Sequence, residues 1–131
     1  MLRRLLVLIA AALALVNSAT ADEWAFVWVS SGKNTYRLTN GKAEVSIANG
    51  TLEAQTIDEE GVKYALRGTI KKGKVTALFT ILESDYFNNS PFSGTYVRKQ
   101  WSGFADSKGR ESISLSDGWN FIGLVREIRQ P

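Results

Sequence analysis

Residues 63–81 read KYALRGTIKKGKVTALFTI, and this stretch decides the fold class. Tyr64, Leu66 and Ile70 lie at alternate positions among polar residues, and apolar residues again occupy every second position from Val75 to Ile81. A period of two is typical of a β-strand that buries one face. The two runs are separated by a short segment containing Lys72-Gly73, so the stretch predicts two antiparallel strands joined by a tight turn.

The same pattern continues on both sides of this pair. Residues 43–48 alternate between apolar and other residues, and Asn49-Gly50, the favoured pair for a two-residue type I′ turn, follows them. Lys108-Gly109 and Asp117-Gly118 predict two further turns, and no window after residue 21 has a helical period. We therefore predict eight or nine strands, at about residues 24–30, 34–39, 42–48, 51–57, 62–70, 74–82, 93–103, 110–116 and 119–127.

Strands joined by tight turns pair with their sequence neighbours, and about eight of them can close into a barrel without exposed edges. We predict a single all-β domain, an antiparallel up-and-down barrel, with a β-sandwich as the alternative. In strand count and size the domain resembles small lipocalin-type and avidin-like barrels, although it lacks the Gly-x-Trp start of lipocalins. Gly68 and Gly94 are expected on inward faces, where they would leave room inside the barrel.

The N-terminus predicts an export signal in residues 1–21. Arg3 and Arg4 precede an apolar run over residues 5–16, and Ala19-Thr20-Ala21 provides an A-x-A cleavage site. The apolar run is too short for a transmembrane helix, which needs about 20 residues. The mature domain would then be residues 22–131, and removing the two arginines lowers the net charge from +3 to +1. We expect a periplasmic or extracellular protein without a stable membrane anchor and without a nucleic-acid partner.

The composition excludes several kinds of chemistry. The chain has no cysteine and no histidine, so it cannot hold a Ser-His-Asp or Cys-His nucleophile system, nor a thiolate or imidazole metal site. The acidic run Asp58-Glu59-Glu60 precedes Gly61 between two strands and is expected to be a solvated turn. We therefore expect no catalytic residue, metal or cofactor, and interpret the protein as a non-enzyme.

Two strands are apolar on both faces, which predicts an interface. Trp24, Phe26 and Trp28 alternate with small apolar residues on the first strand, and Trp119 and Phe121 belong to the last. The first and last strands of an up-and-down barrel are neighbours, so their outer faces would form one apolar patch. Such patches usually mark contacts with other proteins, and we assign these five aromatic residues to an interface with a second copy or another protein.

A second group of residues predicts a ligand site. The segment 83–93 is the longest expected loop and carries Tyr86, Phe87 and Phe92, which would either plug one end of the barrel or form a binding lip. Tyr96 and Arg98 share one face of the following strand; if that face points inward, Arg98 needs an anionic partner, either a ligand or an acidic residue on a neighbouring strand. Together with Tyr64 these residues are the candidates for lining a pocket.

Two functions remain open from the sequence. The first is non-enzymatic binding of a small apolar or amphipathic ligand within or at the rim of the barrel. The alternative is a protein-interaction, structural or inhibitor module that uses the aromatic patch. The question that separates them is whether the barrel is hollow, because eight strands enclose a space that fits either side chains or one small ligand.

Overall fold

A computed structural model describes residues 21–32, 34–84, 88–99 and 109–128. These residues form a closed antiparallel barrel in which each strand pairs with its sequence neighbours and the last pairs with the first. The strands are β1 (Ala21–Gly32), β2 (Thr35–Ala48), β3 (Thr51–Asp58), β4 (Lys63–Lys71), β5 (Lys74–Ile81), β6 (Ser90–Lys99), β7 (Arg110–Ser116) and β8 (Phe121–Glu127). The predicted up-and-down barrel is confirmed, and the sandwich is excluded.

The barrel has two different ends. At the mouth end, β1, β3, β5 and β7 finish, and the turns 59–62 and 117–120 connect the strands. At the opposite end, the closed end, the tight turns at Asn49-Gly50 and Lys72-Gly73 join β2 to β3 and β4 to β5. Both residues of each tight turn have positive φ, between 51° and 80°, as a type I′ turn requires and as the sequence predicts for Asn49-Gly50.

Side chains fill the barrel interior. Every second residue of each strand points inward, and most of these are apolar and buried. Five aromatic rings contact one another across the middle in tilted, T-shaped and stacked pairs, with centroid distances of 5.3–5.7 Å, which is the range of favourable ring contacts. These rings belong to Phe26, Trp28, Tyr64, Phe79 and Phe92. Phe79 at their centre is fully buried, so no channel runs along this part of the barrel.

Two predicted strands are a single strand in the structure. The sequence predicts a break near Asn40-Gly41, but β2 continues through both residues and pairs with β1 from Thr35 to Ser46. Gly41 acts here as a close-approach site, because a Cβ atom at this position would lie 2.0 Å from the carbonyl oxygen of Ile57 on β3. The glycine therefore lets neighbouring strands coil closely and does not end the strand.

The two inward glycines expected to leave room inside the barrel do not do so. A Cβ atom at Gly68 would lie 1.9 Å from the Thr76 carbonyl oxygen, and one at Gly94 would lie 1.7 Å from that of Ser114. The space beside each glycine is occupied by the backbone of the next strand. These glycines are places where strongly coiled strands approach each other, and they open no space inside the barrel.

The predicted signal peptide lies outside the described residues except for Ala21. This residue is the first of β1 and pairs with Ser46 of β2. Cleavage after Ala21 would leave Asp22, the next residue of β1, as the N-terminus of the barrel. The export signal itself stays a prediction.

Candidate functional site

The mouth end of the barrel contains an open cavity of about 500 Å³. Its floor is formed by Trp28, Tyr64 and Ile81, which close the top of the aromatic core. One wall is the β1–β2 hairpin, which extends beyond the residues of β1 that pair with β8. The other lining residues are mostly polar: Ser30, Ser31, Gly32, Thr35, Tyr36, Arg37, Thr39, Asp58, Glu60, Val62, Ser84 and Asn120. The cavity thus combines an aromatic floor with a polar rim.

Asp58 anchors one side of the mouth. Its carboxylate accepts hydrogen bonds from the Tyr64 hydroxyl at 2.5 Å and from the backbone N–H groups of Glu60 and Val62, each at 2.9 Å. Burial alone would raise the pKa of Asp58, but these hydrogen bonds and the nearby Arg37 guanidinium outweigh it and hold the pKa below its usual value. The carboxylate is therefore ionised at neutral pH and fixes both the β3–β4 turn and the Tyr64 ring.

The acidic run that the sequence assigned to a solvated turn is thus divided in the structure. Glu59 and Glu60 are exposed, and Glu60 forms an ion pair with Arg37 across the rim of the mouth at 2.9 Å. Asp58, however, is only 6% exposed. The period of two could have indicated this, because Asp58 continues the inward-facing positions of β3.

A second polar cluster supports the opposite side of the mouth. Asp117 accepts hydrogen bonds from the backbone N–H groups of Trp119 and Asn120 and from the Asn120 side chain, at 2.6–2.9 Å. Burial would raise the pKa of Asp117, but the hydrogen bonds from Asn120 and Trp119 lower it overall. Asn120 in turn accepts a weak hydrogen bond from the backbone N–H of Ser31 at 3.4 Å. These contacts connect the β7–β8 turn to the extended hairpin.

Charged side chains occupy the closed end. Glu111, only 5% exposed, accepts hydrogen bonds from the Tyr96 hydroxyl at 2.7 Å and from Arg126 at 2.9 Å. Arg126 also forms an ion pair with Asp22 and lies over the Trp24 ring, 5.8 Å from its centroid. Burial raises the pKa of Tyr96 to about 12, with a further contribution from Glu111.

The structure separates the predicted ligand residues into different regions. Tyr64 lies in the floor of the mouth, and Phe92 lies in the core, 3% exposed. Tyr86 and Phe87 lie outside the described residues, in the connection between β5 and β6, whose adjoining ends are at the mouth.

The other two predicted ligand residues, Tyr96 and Arg98, belong to the closed end. The Tyr96 face of β6 points inward, and Arg98 lies near the rim with its side chain 53% exposed. Of the two partners that the sequence left open for Arg98, the acidic side chain is present: Glu111 on the neighbouring strand β7, 3.9 Å away. Arg126 forms the shorter ion pair with Glu111, at 2.9 Å, and the sequence did not identify this residue as a candidate.

The predicted interface residues also divide into two groups. Trp24, Phe26 and Trp28 point into the barrel and are 2–8% exposed, so they contribute core packing and not an outer surface. Trp119 and Phe121 are 78% and 40% exposed on the outside, as an interface requires. The reason is the register, in which the other face of β1, that of Ala25, Val27 and Val29, is turned outward.

Two further residues enlarge this surface and were missed from the sequence. Tyr36 and Leu38 are 82% and 62% exposed on β2, directly beside the outer face of β1. The sequence could have indicated that Tyr36 and Leu38 face outward, because they alternate with polar residues in a strand that lies next to β1. We name the resulting surface the outer apolar face, which consists of Ala25, Val27, Val29, Tyr36, Leu38, Trp119, Phe121 and Val125.

The acidic side chains of the described residues are arranged in a defined way. No group of three or more acidic side chains in them is arranged to hold a metal ion. The two buried carboxylates, Asp58 and Glu111, lie at opposite ends of the barrel and are each engaged by structural hydrogen bonds. Nor does this part of the chain include a helix long and apolar enough to cross a membrane.

Comparison with known proteins gave no relative: no family model, curated protein or solved structure matches this chain.

Proposed function

We propose that this domain is a non-enzymatic binding protein that holds a small amphipathic molecule in the mouth of the barrel. The single observation that carries the proposal is the open cavity of about 500 Å³ with an aromatic floor and a polar rim. Small-molecule sites typically measure about 300–1,000 Å³, combine apolar walls with a few placed polar groups, and often occupy the mouths of β-barrels.

The lining residues favour a ligand with two chemically different parts. Trp28, Tyr64 and Ile81 present ring and aliphatic surface at the bottom of the cavity, where an apolar group would lose its contact with water. At the rim, Arg37 and Glu60 offer a donor and an acceptor that remain two-thirds exposed in their ion pair. A polar or charged group of the ligand would stay near the rim and remain solvated.

The packed interior limits how deep such a ligand can lie. Tyr64 stacks on Phe79 at 5.5 Å, and Phe79 is itself fully buried. The proposed molecule therefore occupies the mouth and does not thread the barrel, unlike a ligand enclosed in a hollow interior. This places the polar part of the ligand in reach of water and predicts exchange without opening of the barrel.

An amphipathic dye tests the location directly. The probe is 8-anilinonaphthalene-1-sulfonate, whose ring system and sulfonate match the two parts of the cavity. Thr39 lines the mouth beside Trp28, and we expect Thr39→Trp to fill it and weaken dye binding about tenfold or more. Thr51→Trp, a matched change on an exposed position at the closed end, should leave the affinity unchanged.

One further variant separates the mouth from the outside of the barrel. Phe121→Lys alters the outer apolar face, and dye binding should not change if the dye occupies the mouth. Native mass spectrometry of the protein purified from its own cells should in addition show a bound small molecule. Equal dye affinity in Thr39→Trp and the wild type, together with bare polypeptide in the mass spectrum, would refute the proposal.

A further inference from the structure

One edge of the β1–β2 hairpin has no neighbouring strand in the described part of the chain. β2 pairs with β1 from Thr35 to Ser46, but it pairs with β3 only from Gly41 onward. The residues of β2 before Gly41 therefore form a strand edge on the β3 side of the hairpin. We name this segment, Thr35–Asn40, the free edge.

Two residues of the free edge direct their backbone groups away from β1. Consecutive residues of a strand point their N–H and C=O groups to opposite sides. Asn40 faces the β3 side, because its carbonyl oxygen accepts a hydrogen bond from the N–H of Glu59 at 3.0 Å. Leu38 and Tyr36 follow at every second position and share this direction. Both residues are exposed, so two backbone donors and two backbone acceptors face the solvent.

The opposite edge of the hairpin is satisfied within the barrel. β1 pairs with β8 as far as Val29, and the next residue whose backbone faces the β8 side is Ser31. The N–H of Ser31 donates to the side chain of Asn120 at 3.4 Å. A side chain of the barrel thus covers one edge of the hairpin, whereas the free edge lies open to a partner.

The free edge also lacks the features that usually protect a strand edge. Proteins protect such edges with prolines, β-bulges or outward-pointing charges. The free edge contains no proline, and its register with β1 has no bulge. Its charged residue, Arg37, points to the mouth and pairs with Glu60, while Tyr36 and Leu38 belong to the outer apolar face. Such an edge is suited to accept a further strand.

We propose that the free edge binds the N-terminal residues of a different polypeptide as an added β-strand. Its backbone donors and acceptors recur at every second residue, and an extended chain presents the matching groups at the same spacing. The first residue of the added strand pairs with Leu38 and the third with Tyr36. Both of these side chains join the outer apolar face, and the second side chain lies beside Arg37 at the mouth.

The β3–β4 turn determines which end of the partner is bound. Glu59 already occupies the place beside Asn40, so the added strand has an end next to Leu38. If it runs antiparallel to β2, as β3 does, that end is its N-terminus. Glu59 and Glu60 are both exposed there, and together with Arg37 their charges sum to −1. A positively charged amino terminus is attracted to this place, whereas a carboxyl terminus is repelled.

A second copy of this chain does not fit the free edge. The first residues of the barrel, Ala21–Trp24, are already paired with β2. Two free edges joined by a two-fold axis would pair Tyr36 of each copy with Leu38 of the other. Arg37 would then lie directly opposite Arg37 of the other copy, and like charges in that position are destabilising. A different polypeptide with a neutral second residue avoids this repulsion.

Hydrogen exchange of the backbone amides, measured by NMR, tests the free edge. Without a partner, the amides of Tyr36 and Leu38 should exchange at least about tenfold faster than those of Arg37 and Thr39, whose N–H groups face β1. The probe is the peptide Val-Thr-Val-Thr-amide with a free amino terminus, for which we expect a Kd of about 1 mM. At about 5 mM the peptide should slow exchange of the Tyr36 and Leu38 amides about sixfold.

Two altered peptides test the two parts of the proposal. N-methylation of the third residue removes the N–H that pairs with Tyr36 and should abolish the protection. Acetylation of the amino terminus should weaken binding to the wild type about threefold. The free and acetylated peptides should bind equally well to the double variant Glu59→Gln, Glu60→Gln, which lacks both carboxylates.

Three results would overturn the proposal. Unchanged exchange at Tyr36 and Leu38 in the presence of the free peptide, or equal protection by the N-methylated peptide, would exclude an added strand. Equal binding of the free and acetylated peptides by the wild type would exclude capture of an amino terminus. Protection that rises with protein concentration in the absence of peptide would assign the free edge to a second copy.

The proposal does not depend on ligand binding in the mouth. Thr39→Trp fills the mouth, but the backbone groups of residue 39 face β1, so the free edge stays intact. This variant should therefore lose dye binding and keep peptide binding. Failure of the dye experiment would leave the peptide result unchanged, and failure of the peptide experiment would leave dye binding by the mouth unchanged.

Discussion

Tyr64→Phe is the most informative single substitution, because Tyr64 connects the core, the mouth and the β3–β4 turn. The change removes one hydroxyl group and keeps the ring that stacks on Phe79 at 5.5 Å. Asp58 would lose the hydrogen bond at 2.5 Å and would keep its two bonds from backbone N–H groups. The substitution therefore isolates one charge-assisted hydrogen bond to a buried carboxylate.

The expected cost follows from the burial of this pair. A hydrogen bond to a charged group contributes about 1.5–3 kcal/mol, and Asp58 and Tyr64 are only 6% and 3% exposed, so water does not replace the lost donor. We expect the free energy of unfolding to fall by about 2 kcal/mol at pH 7. For a domain of this size the thermal midpoint should fall by about 8 °C.

The loss should also depend on pH in a defined direction. The folded-state pKa of Asp58 lies below its usual value, so this group stabilises the fold above the unfolded pKa, and the stabilisation disappears as the pH falls through the folded pKa. Without the Tyr64 hydroxyl the folded pKa moves up toward the unfolded one. The difference between wild type and variant should therefore shrink in acid to the value of a neutral hydrogen bond, about 1 kcal/mol.

Urea denaturation between pH 7 and about pH 3 measures both effects. Tyr36→Phe is the matched control, because its hydroxyl is on a side chain that is 82% exposed, and its stability should not change. A double variant with Asp58→Asn should cost clearly less than the two single changes added together. The reasoning fails if Tyr64→Phe costs less than about 0.5 kcal/mol, or if the two changes are additive.

Four further predictions concern other parts of the barrel and the N-terminus. Gly94→Ala should destabilise the fold by more than about 3 kcal/mol, since the new Cβ would lie 1.7 Å from the Ser114 carbonyl oxygen; a cost below 1 kcal/mol in urea would contradict the close packing of β6 and β7. The stability of the wild type should fall as the pH rises from about 10 to about 12, because Tyr96 ionises near pH 12 in the folded protein and near pH 10 in the unfolded chain. Tyr96→Phe should remove this part of the alkaline unfolding transition in a circular dichroism titration. Glu111→Gln should lower the free energy of unfolding by about 2 kcal/mol, because it removes the buried carboxylate partner of Arg126 and leaves only the more exposed Asp22. An unchanged midpoint in urea would show that Asp22 alone is sufficient. If residues 1–21 are an export signal, intact-mass measurement of the protein purified from its own cells should give Asp22 as the first residue; an uncleaved N-terminus would contradict the signal assignment.

Much of the fold could be read from local pattern. The alternation around Tyr64 and Phe79 predicted strands, and Asn49-Gly50 predicted the turn that joins β2 to β3. Both signals arise within a few residues of the chain. A period of two predicts a strand with one buried face. An Asn-Gly pair predicts a type I′ turn, because both of its residues tolerate positive φ. Neither prediction requires information about distant parts of the chain.

The candidate site depended on information of a different kind. The sequence indicates that both faces of the first strand are apolar, but it does not indicate which face packs against the core. For that reason it predicts an interface at Trp24, Phe26 and Trp28. Only barrel closure, through pairing of β1 with β8, turns Val29 outward and Trp28 inward. Because side chains alternate at every residue, a register fixed by distant strands determines the face of each one.

The sequence by itself thus determined that the chain forms an antiparallel all-β domain without thiol or imidazole chemistry, because strand periodicity, turn residues and composition are local properties. Tertiary structure alone decided that the barrel is filled, that Gly68 and Gly94 face the backbone of the next strand, and that an open cavity lies at the mouth above the aromatic core. These features result from how strands far apart in the chain pack against each other, and packing of that kind has no local signature.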